Sequence, residues 1–107
     1  MTLNMKFYIL NIIIEEKSKY MPKKHLATIT ILVEDRQTNA KEVQKLLTDH
    51  GHIIMARLGV NVQKSCVEHC TGLISIAIEG TSSEIKVLTK KLNDLYGIIA
   101  KSSIMTK

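Results

Sequence analysis

From His25 to Val33 the chain alternates without a break. Leu26, Thr28, Thr30 and Leu32 fall on one side and Ala27, Ile29, Ile31 and Val33 on the other. β-branched residues dominate and both sides are largely apolar, which predicts a central strand. The period then changes. Ala40, Val43, Leu46, Leu47 and His50 recur at helical spacing, with Asn39 placed to cap a helix and Glu42 three residues on in a capping-box position. Gly51 is the expected terminator. A second strand is predicted over Ile53 to Val62, carrying Arg57 and Gly59. The glycine there signals a bulge or a close backbone approach. Thr71 to Glu79 alternates strictly, with Ile74, Ile76 and Ile78 on one face, and Gly80 is expected to end it. Thr81 with Glu84 marks a second capping box. Ile85, Leu88, Leu92 and Leu95 follow as a buried stripe, while Lys86, Lys90 and Asp94 face water. Gly97 closes this helix, and Ile98 to Ile104 forms the last strand.

The order of elements is β-α-β-β-α-β over residues 24–105. Right-handed crossovers put both helices on one face of the sheet. The expected class is α+β, a ferredoxin-like βαββαβ sandwich with an antiparallel sheet in the order 4-1-3-2. The other sheet face is left bare in a single copy, with Ala27, Leu73 and Ala77 expected on it. A chain of 107 residues buries only about 60–65% of its unfolded surface, so its margin of stability is thin. A second copy covering the bare face is the expected remedy, and the chain is read as a homo-oligomer, dimer or tetramer.

Residues 1–20 fit no slot in this pattern, and the domain is read as 21–107. The first reading of Met1 to Tyr20 is an upstream start codon, with the natural chain beginning at Met21. The second is an extra edge strand, Lys6 to Ile14, used in assembly. The apolar run Phe7 to Ile14 is too short to span a bilayer, and the Glu15-Glu16-Lys17 that follows makes it a poor signal peptide. No membrane association is expected. Two cysteines without a secretory signal point to a reducing cytoplasm.

Composition narrows the function. Trp is absent, and one Phe with three Tyr offers few stacking platforms for single-stranded nucleic acid. The net charge of +5 is spread over both helices and the loops. Beyond Pro22-Lys23-Lys24-His25 there is no dense basic run, so the lysines read as solvated surface. A nucleophile with a clear His/Asp arrangement is absent from the sequence, as is a glycine-rich phosphate loop. The adjacent acids Glu34-Asp35 diverge at a strand end and do not face one substrate. The chain is read as a non-enzyme.

Two constellations remain. Asp35 and Arg36 sit where strand one runs out and helix one begins, and helix-start amides attract anions. Arg36 and Arg57 would add bidentate contacts to a carboxylate or phosphate. The plainer reading makes Asp35 and Arg36 turn residues and Arg57 a solvated strand charge. Cys66-Val67-Glu68-His69-Cys70 is the second. Zinc-ribbon knuckles use C-x2-C twice, and that second half is missing. Cys66, His69 and Cys70 would supply three soft ligands for Zn, Cu(I) or another transition metal, with His50 or His52 as a fourth. A regulatory disulfide, or two loop thiols beside a surface His, are the other uses of the same residues. His50 itself suits a helix C-terminus, where its imidazolium meets the dipole.

With these motifs placed, residues 24–105 resemble the small ACT-like regulators of the iron-only hydrogenase system. The resemblance rests on Val33-Glu34-Asp35-Arg36, on Lys41-Glu42-Val43-Gln44-Lys45-Leu46-Leu47 and on Ile53-Ile54 leading to Arg57-Leu58-Gly59. It continues in Gly72-Leu73-Ile74-Ser75, Ser83-Glu84-Ile85, Leu88, Lys91-Leu92, Gly97 and Lys101. That family is similar in fold to ACT domains and to the C-terminal sensing domain of nickel-responsive (NikR-like) repressors. The resemblance implies a ligand-binding regulatory module that oligomerises. ACT-type pockets lie near the end of strand one and the start of helix one, often across a subunit boundary. Asp35, Arg36 and Asn39 would there meet Arg57 and Gly59 around a small anionic effector. The Cys/His loop departs from the Pro- and Gly-containing turn of the family, so Cys66, His69 and Cys70 inherit no role from it. A metal sensor through that loop, and a purely structural pairing subunit, are the rival readings. No DNA-binding domain of its own is expected, so any contact with DNA would come only with a partner protein.

Overall fold

The structure, a computed structural model, describes residues 23–63 and 65–106. The expected extension over residues 1–20, with its strand Lys6 to Ile14, lies outside the described residues. The elements are β1 (Lys24–Val33), α1 (Arg36–Asp49), a 3-10 turn (Gly51–Ile53), β2 (Ile54–Asn61), β3 (Gly72–Thr81), α2 (Ser82–Asn93) and β4 (Ile98–Ile104). All pairings are antiparallel and the sheet runs β2-β3-β1-β4, the ferredoxin-like order expected above.

The core sits on one side of the sheet. Ala27, Ile29, Ile31 and Val33 of β1 and Ile74, Ile76 and Ile78 of β3 point into it. They meet Val43 and Leu47 of α1 and Ile85, Leu88 and Leu92 of α2. Both helices therefore cover the same face. Ala27 belongs to this buried set, not to the open face where it was expected, because it shares the parity of Ile29 along the strand. No described helix is long and apolar enough to cross a membrane.

The open face has its own order. Val60, Leu73, Leu32 and Ile99 stand in register across all four strands. Beside this apolar row runs Leu58, Ser75, Thr30 and Lys101, and next to that Ala56, Ala77, Thr28 and Ser103. Leu58 is 66% exposed, and Val60 and Ile99 are 46% exposed each. The two edges differ. On β4, the Asn93 side chain donates to the Ala100 carbonyl at 2.9 Å and accepts from the Ala100 amide at 2.7 Å. This blocks that edge to further strand pairing. Among the described residues the exposed strand β2 pairs with β3 alone.

α2 begins as predicted. Thr81 Oγ1 accepts from the Glu84 amide at 3.1 Å, and Glu84 Oε1 accepts from the Thr81 amide at 2.9 Å. α1 does not. It starts three residues before the expected cap, at Arg36, with Asp35 at the N-cap in the left-handed region (φ 45°, ψ 65°). Asn39 is inside the helix and spends its carboxamide on the Glu34 carbonyl at 2.6 Å, so no capping box forms with Glu42. At the other end, His50 leads straight into the 3-10 turn without a left-handed glycine. The turn drops Ile53 into the core. Gly51 is a turn residue there, not a helix terminator. Gly80 lies within β3, because the pairing with β1 runs on to Lys24 opposite Thr81. The bulge falls not at Gly59 but at Met55, where Ile54 opposes Ile78 and Ala56 opposes Ala77.

Gly97 is the one glycine whose backbone requires it among the described residues (φ 72°). Its carbonyl accepts from the Glu34 amide at 2.8 Å, locking the turn into β4 against the turn into α1. A Cβ at Gly97 would lie 2.6 Å from Asn39 Nδ2. Gly97→Ala should therefore cost about 1–3 kcal/mol and lower Tm by roughly 5–15 °C. Thermal unfolding followed by circular dichroism checks this, and an unchanged Tm contradicts it.

Candidate functional site

The first turn of α1 is the most heavily bonded part of the described chain outside the core. The Arg36 amide donates to the Cys70 carbonyl at 2.8 Å, and the Thr38 and Asn39 amides donate to the Asp35 carbonyl at 3.0 Å. Thr38 Oγ1 donates to Asp35 Oδ2 at 3.2 Å. Three helix-start amides, together with the Asn39 carboxamide, thus already have partners. What the turn offers a ligand is the Arg36 side chain.

Arg36 reaches from α1 across to β2, where Nη1 donates to Asn61 Oδ1. Its Nε is buried and has no hydrogen-bond partner among the described residues. A buried unpaired donor on a charged group costs roughly 1–3 kcal/mol or more. Arg36 borders a cavity of about 240 Å³ whose lining also takes in Val33, Ala40, Gln44, Gly59, Val60, Asn61, Gly72, Leu73 and Ile74. Gly59 helps keep it open: a Cβ there would meet only Ile74 Cγ1, at 4.0 Å, while one at Gly72 would rest in ordinary contact with Arg36 Cβ at 3.5 Å. The chemistry on offer is one fork of cationic donors, an amide at Gln44 and apolar walls. That suits a small anion with a short apolar body.

Of the residues expected around an anion, Arg36 and Gly59 share this cavity. Arg57 does not line it. It lies toward the other end of β2, in a separate depression of about 330 Å³ with Leu47, Thr48, Gly51, Ile54, Met55 and Ala56. Asp35 and Asn39 stabilise the turn behind Arg36. Asn61, Gln44 and Gly72 were not singled out from sequence. Asn61 was findable, since it follows Gly59 by two and shares its face. Gln44 and Gly72 carry no such signal.

The loop between β2 and β3 packs on the same helical turn. Cys66 and Cys70 are joined in a disulfide. Cys70 is 1% exposed. Gln37 clamps it: Oε1 accepts from the Cys70 amide at 3.3 Å, and Nε2 donates to Cys70 Sγ at 3.2 Å and to the Val67 carbonyl at 3.4 Å. His69 takes a left-handed conformation (φ 52°). Its Nδ1 lies 3.4 Å from Asp35 Oδ2. In this form neither sulfur is a thiolate. Among the described residues no three His, Cys, Asp or Glu side chains gather as a metal set. His50 and His52 lie past the far end of α1, roughly 20 Å away along a helix of 14 residues, so they do not join Cys66, His69 and Cys70 within one chain.

With this geometry in view, comparison with known proteins is informative. A family model, TM1266-like, described as "Iron-only hydrogenase system regulator, putative", matches residues 25–102. The chain belongs to the TM1266-like family. Among solved structures, it is similar to the uncharacterized protein TM1266 from Thermotoga maritima. That match has 25% identity and a TM-score of 0.70, and covers 78% of this chain and 100% of that one. No curated protein matches the chain.

A second group of side chains sits at the C-terminal end of α1. His50 and His52 stack with ring centroids 6.3 Å apart, and Lys91 Nζ lies 3.4 Å from His50 Nε2. Burial first, and then the Lys91 ammonium and the His52 ring, lower the His50 pKa below its ordinary 6.5; Asp49 opposes this weakly. The unfolded chain takes up the proton at higher pH than the native fold does. Stability is therefore full above about 6.5 and is lost as pH falls through that value toward the lowered native one. His50→Asn should flatten the dependence of Tm on pH between about 7.5 and 5, as thermal melts across that range would show.

Proposed function

We propose that this chain is a non-enzymatic, homo-oligomeric regulatory module that senses a small anionic metabolite in the cavity beside Arg36. The observation that carries the reading is the buried Arg36 Nε with no partner among the described residues, at the wall of a cavity walled by Gly59. A carboxylate or phosphate entering there neutralises the guanidinium, and a small shift of the Arg36 side chain brings the buried Nε to the same acceptor. The volume, about 240 Å³, lies just below the usual range of ligand sites, about 300–1,000 Å³, and so suits only a small metabolite. Membership of a family described as a regulator supports a sensing role over catalysis, and ties the module to the iron-only hydrogenase system.

The open sheet face supports assembly. Its apolar row Val60, Leu73, Leu32 and Ile99 forms a band that water covers in a single copy, and a second copy removes it from water. Ligand occupancy acts on this face through β2, since Gly59 of the cavity is flanked in the strand by Leu58 and Val60 of the open face.

Two experiments test the proposal. A panel of small carboxylates and phosphates should raise Tm for one of them. The gain approaches about 2.7 kcal/mol at a hundredfold excess over Kd. Arg36→Leu should abolish it. Gly59→Val, which places a side chain in the cavity of an otherwise tolerant strand, should abolish it too while the fold persists by circular dichroism. A panel that leaves Tm unmoved contradicts the sensing role. For assembly, Ile99→Glu should halve or quarter the mass seen by light scattering. A wild-type protein of one-chain mass would refute the oligomer.

A further inference from the structure

The Cys66–Cys70 bridge is asymmetric. Cys70 is 1% exposed, lies against the first turn of α1 and is held by both polar atoms of the Gln37 side chain. Cys66 is half-buried and sits on the outer limb of the loop, beside Val67, which is 85% exposed. An incoming thiolate has access to one sulfur and not to the other. We propose that this bridge is a thiol–disulfide exchange site for a dithiol reductant of the thioredoxin class, entered at Cys66, with Cys70 as the leaving group.

Attack on Cys66 Sγ forms a mixed disulfide between reductant and Cys66. The bridge breaks, and its electron pair stays on Cys70. That thiolate forms beside the Gln37 Nε2 donor, 3.2 Å from the sulfur, and at the positive end of the α1 dipole. Stabilising the leaving sulfur speeds exchange. The second thiol of the reductant then attacks the reductant's own sulfur in the mixed disulfide and releases Cys66. Protons from water or from the reductant complete both thiols. The protein gains two electrons and two protons, and the reductant becomes a disulfide.

The structural result is local. Cys70 remains anchored, because its carbonyl accepts from the Arg36 amide and its own amide donates to Gln37. Reduction opens the small ring closed by the bridge, so that residues 65–69 are held to Cys70 only through the backbone, and the restraint holding His69 beside Asp35 is relaxed. The site is therefore independent of whether the Arg36 cavity binds an anion, and its test reads sulfur chemistry alone.

The test uses the whole air-oxidised chain and, as probe, a thioredoxin-class reductant whose resolving cysteine is changed to serine. Fragment-ion mapping of the trapped adduct should place it on Cys66. Adduct on Cys70, or divided equally between the two, overturns the proposal, as does finding two free thiols in the oxidised protein by alkylation. Gln37→Ala should slow reduction by dithiothreitol by roughly three- to tenfold through loss of the donor to the leaving sulfur, with the far-ultraviolet spectrum unchanged. An unaltered rate in that folded variant also counts against it.

Discussion

The one-sided burial of β1 is the constraint on which the rest hangs. A central strand has two faces and two neighbours, and here Ala27, Ile29, Ile31 and Val33 take both helices on one face. The strand order then follows from the right-handed crossovers. The place where β1 ends also fixes where α1 begins, and the Glu34 amide bonded to the Gly97 carbonyl ties that corner to the far end of α2. The Arg36 cavity and the disulfide loop lie within reach of this corner, and the apolar row lies on the face that β1 turns away from the helices. Deleting one buried side chain from the shared core, Leu88 for instance, would cost about 2–5 kcal/mol in a domain with little to spare.

How far the sequence was legible depended on whether a signal was local. Thr81 and Glu84 satisfy each other within one turn, so α2 could be placed from four residues. The start of α1 could not. Its first amide is satisfied by the Cys70 carbonyl, 34 residues on, and Asp35 adopts a left-handed conformation that aspartate tolerates but does not advertise. Asn39 and Glu42 therefore spelled a capping box that tertiary bonds displaced. The same division runs through the site. Arg36 and Gly59 could be named from motif position. Arg57 shares the face of Gly59 but lies four residues from Asn61 along an extended strand, about 13 Å, and so toward the far end of α1. The pairing of the cysteines was open from C-x3-C spacing alone.

Arg36 joins two parts of the molecule that sequence treats separately. Its backbone amide holds the β2–β3 loop through Cys70, and its side chain spans to Asn61 at the cavity. A single helical turn therefore carries both the charged wall of the cavity and the anchor of the disulfide loop. The histidines stand apart, at the other end of the same helix, where the chemistry is that of protonation.

The extra residue at Met55 carries a consequence for how this surface arises. Side chains alternate along an extended chain, so an uninterrupted β2 would send Ala56, Leu58 and Val60 to the same side as Ile54, against α1. Two branched hydrocarbons would then plug the hollow, and Arg57 and Asn61 would stand on the opposite side among the apolar row. The bulge between Ile54 and Ala56 resets the parity, so that Gly59 and Asn61 fall on the helix side of β2 and Leu58 and Val60 on its open side. The hollow thus depends on the bulge being kept: a one-residue slip of register that straightened β2 beyond Ile54 would exchange hollow and greasy face together, whereas removing Met55 alone would leave both where they are.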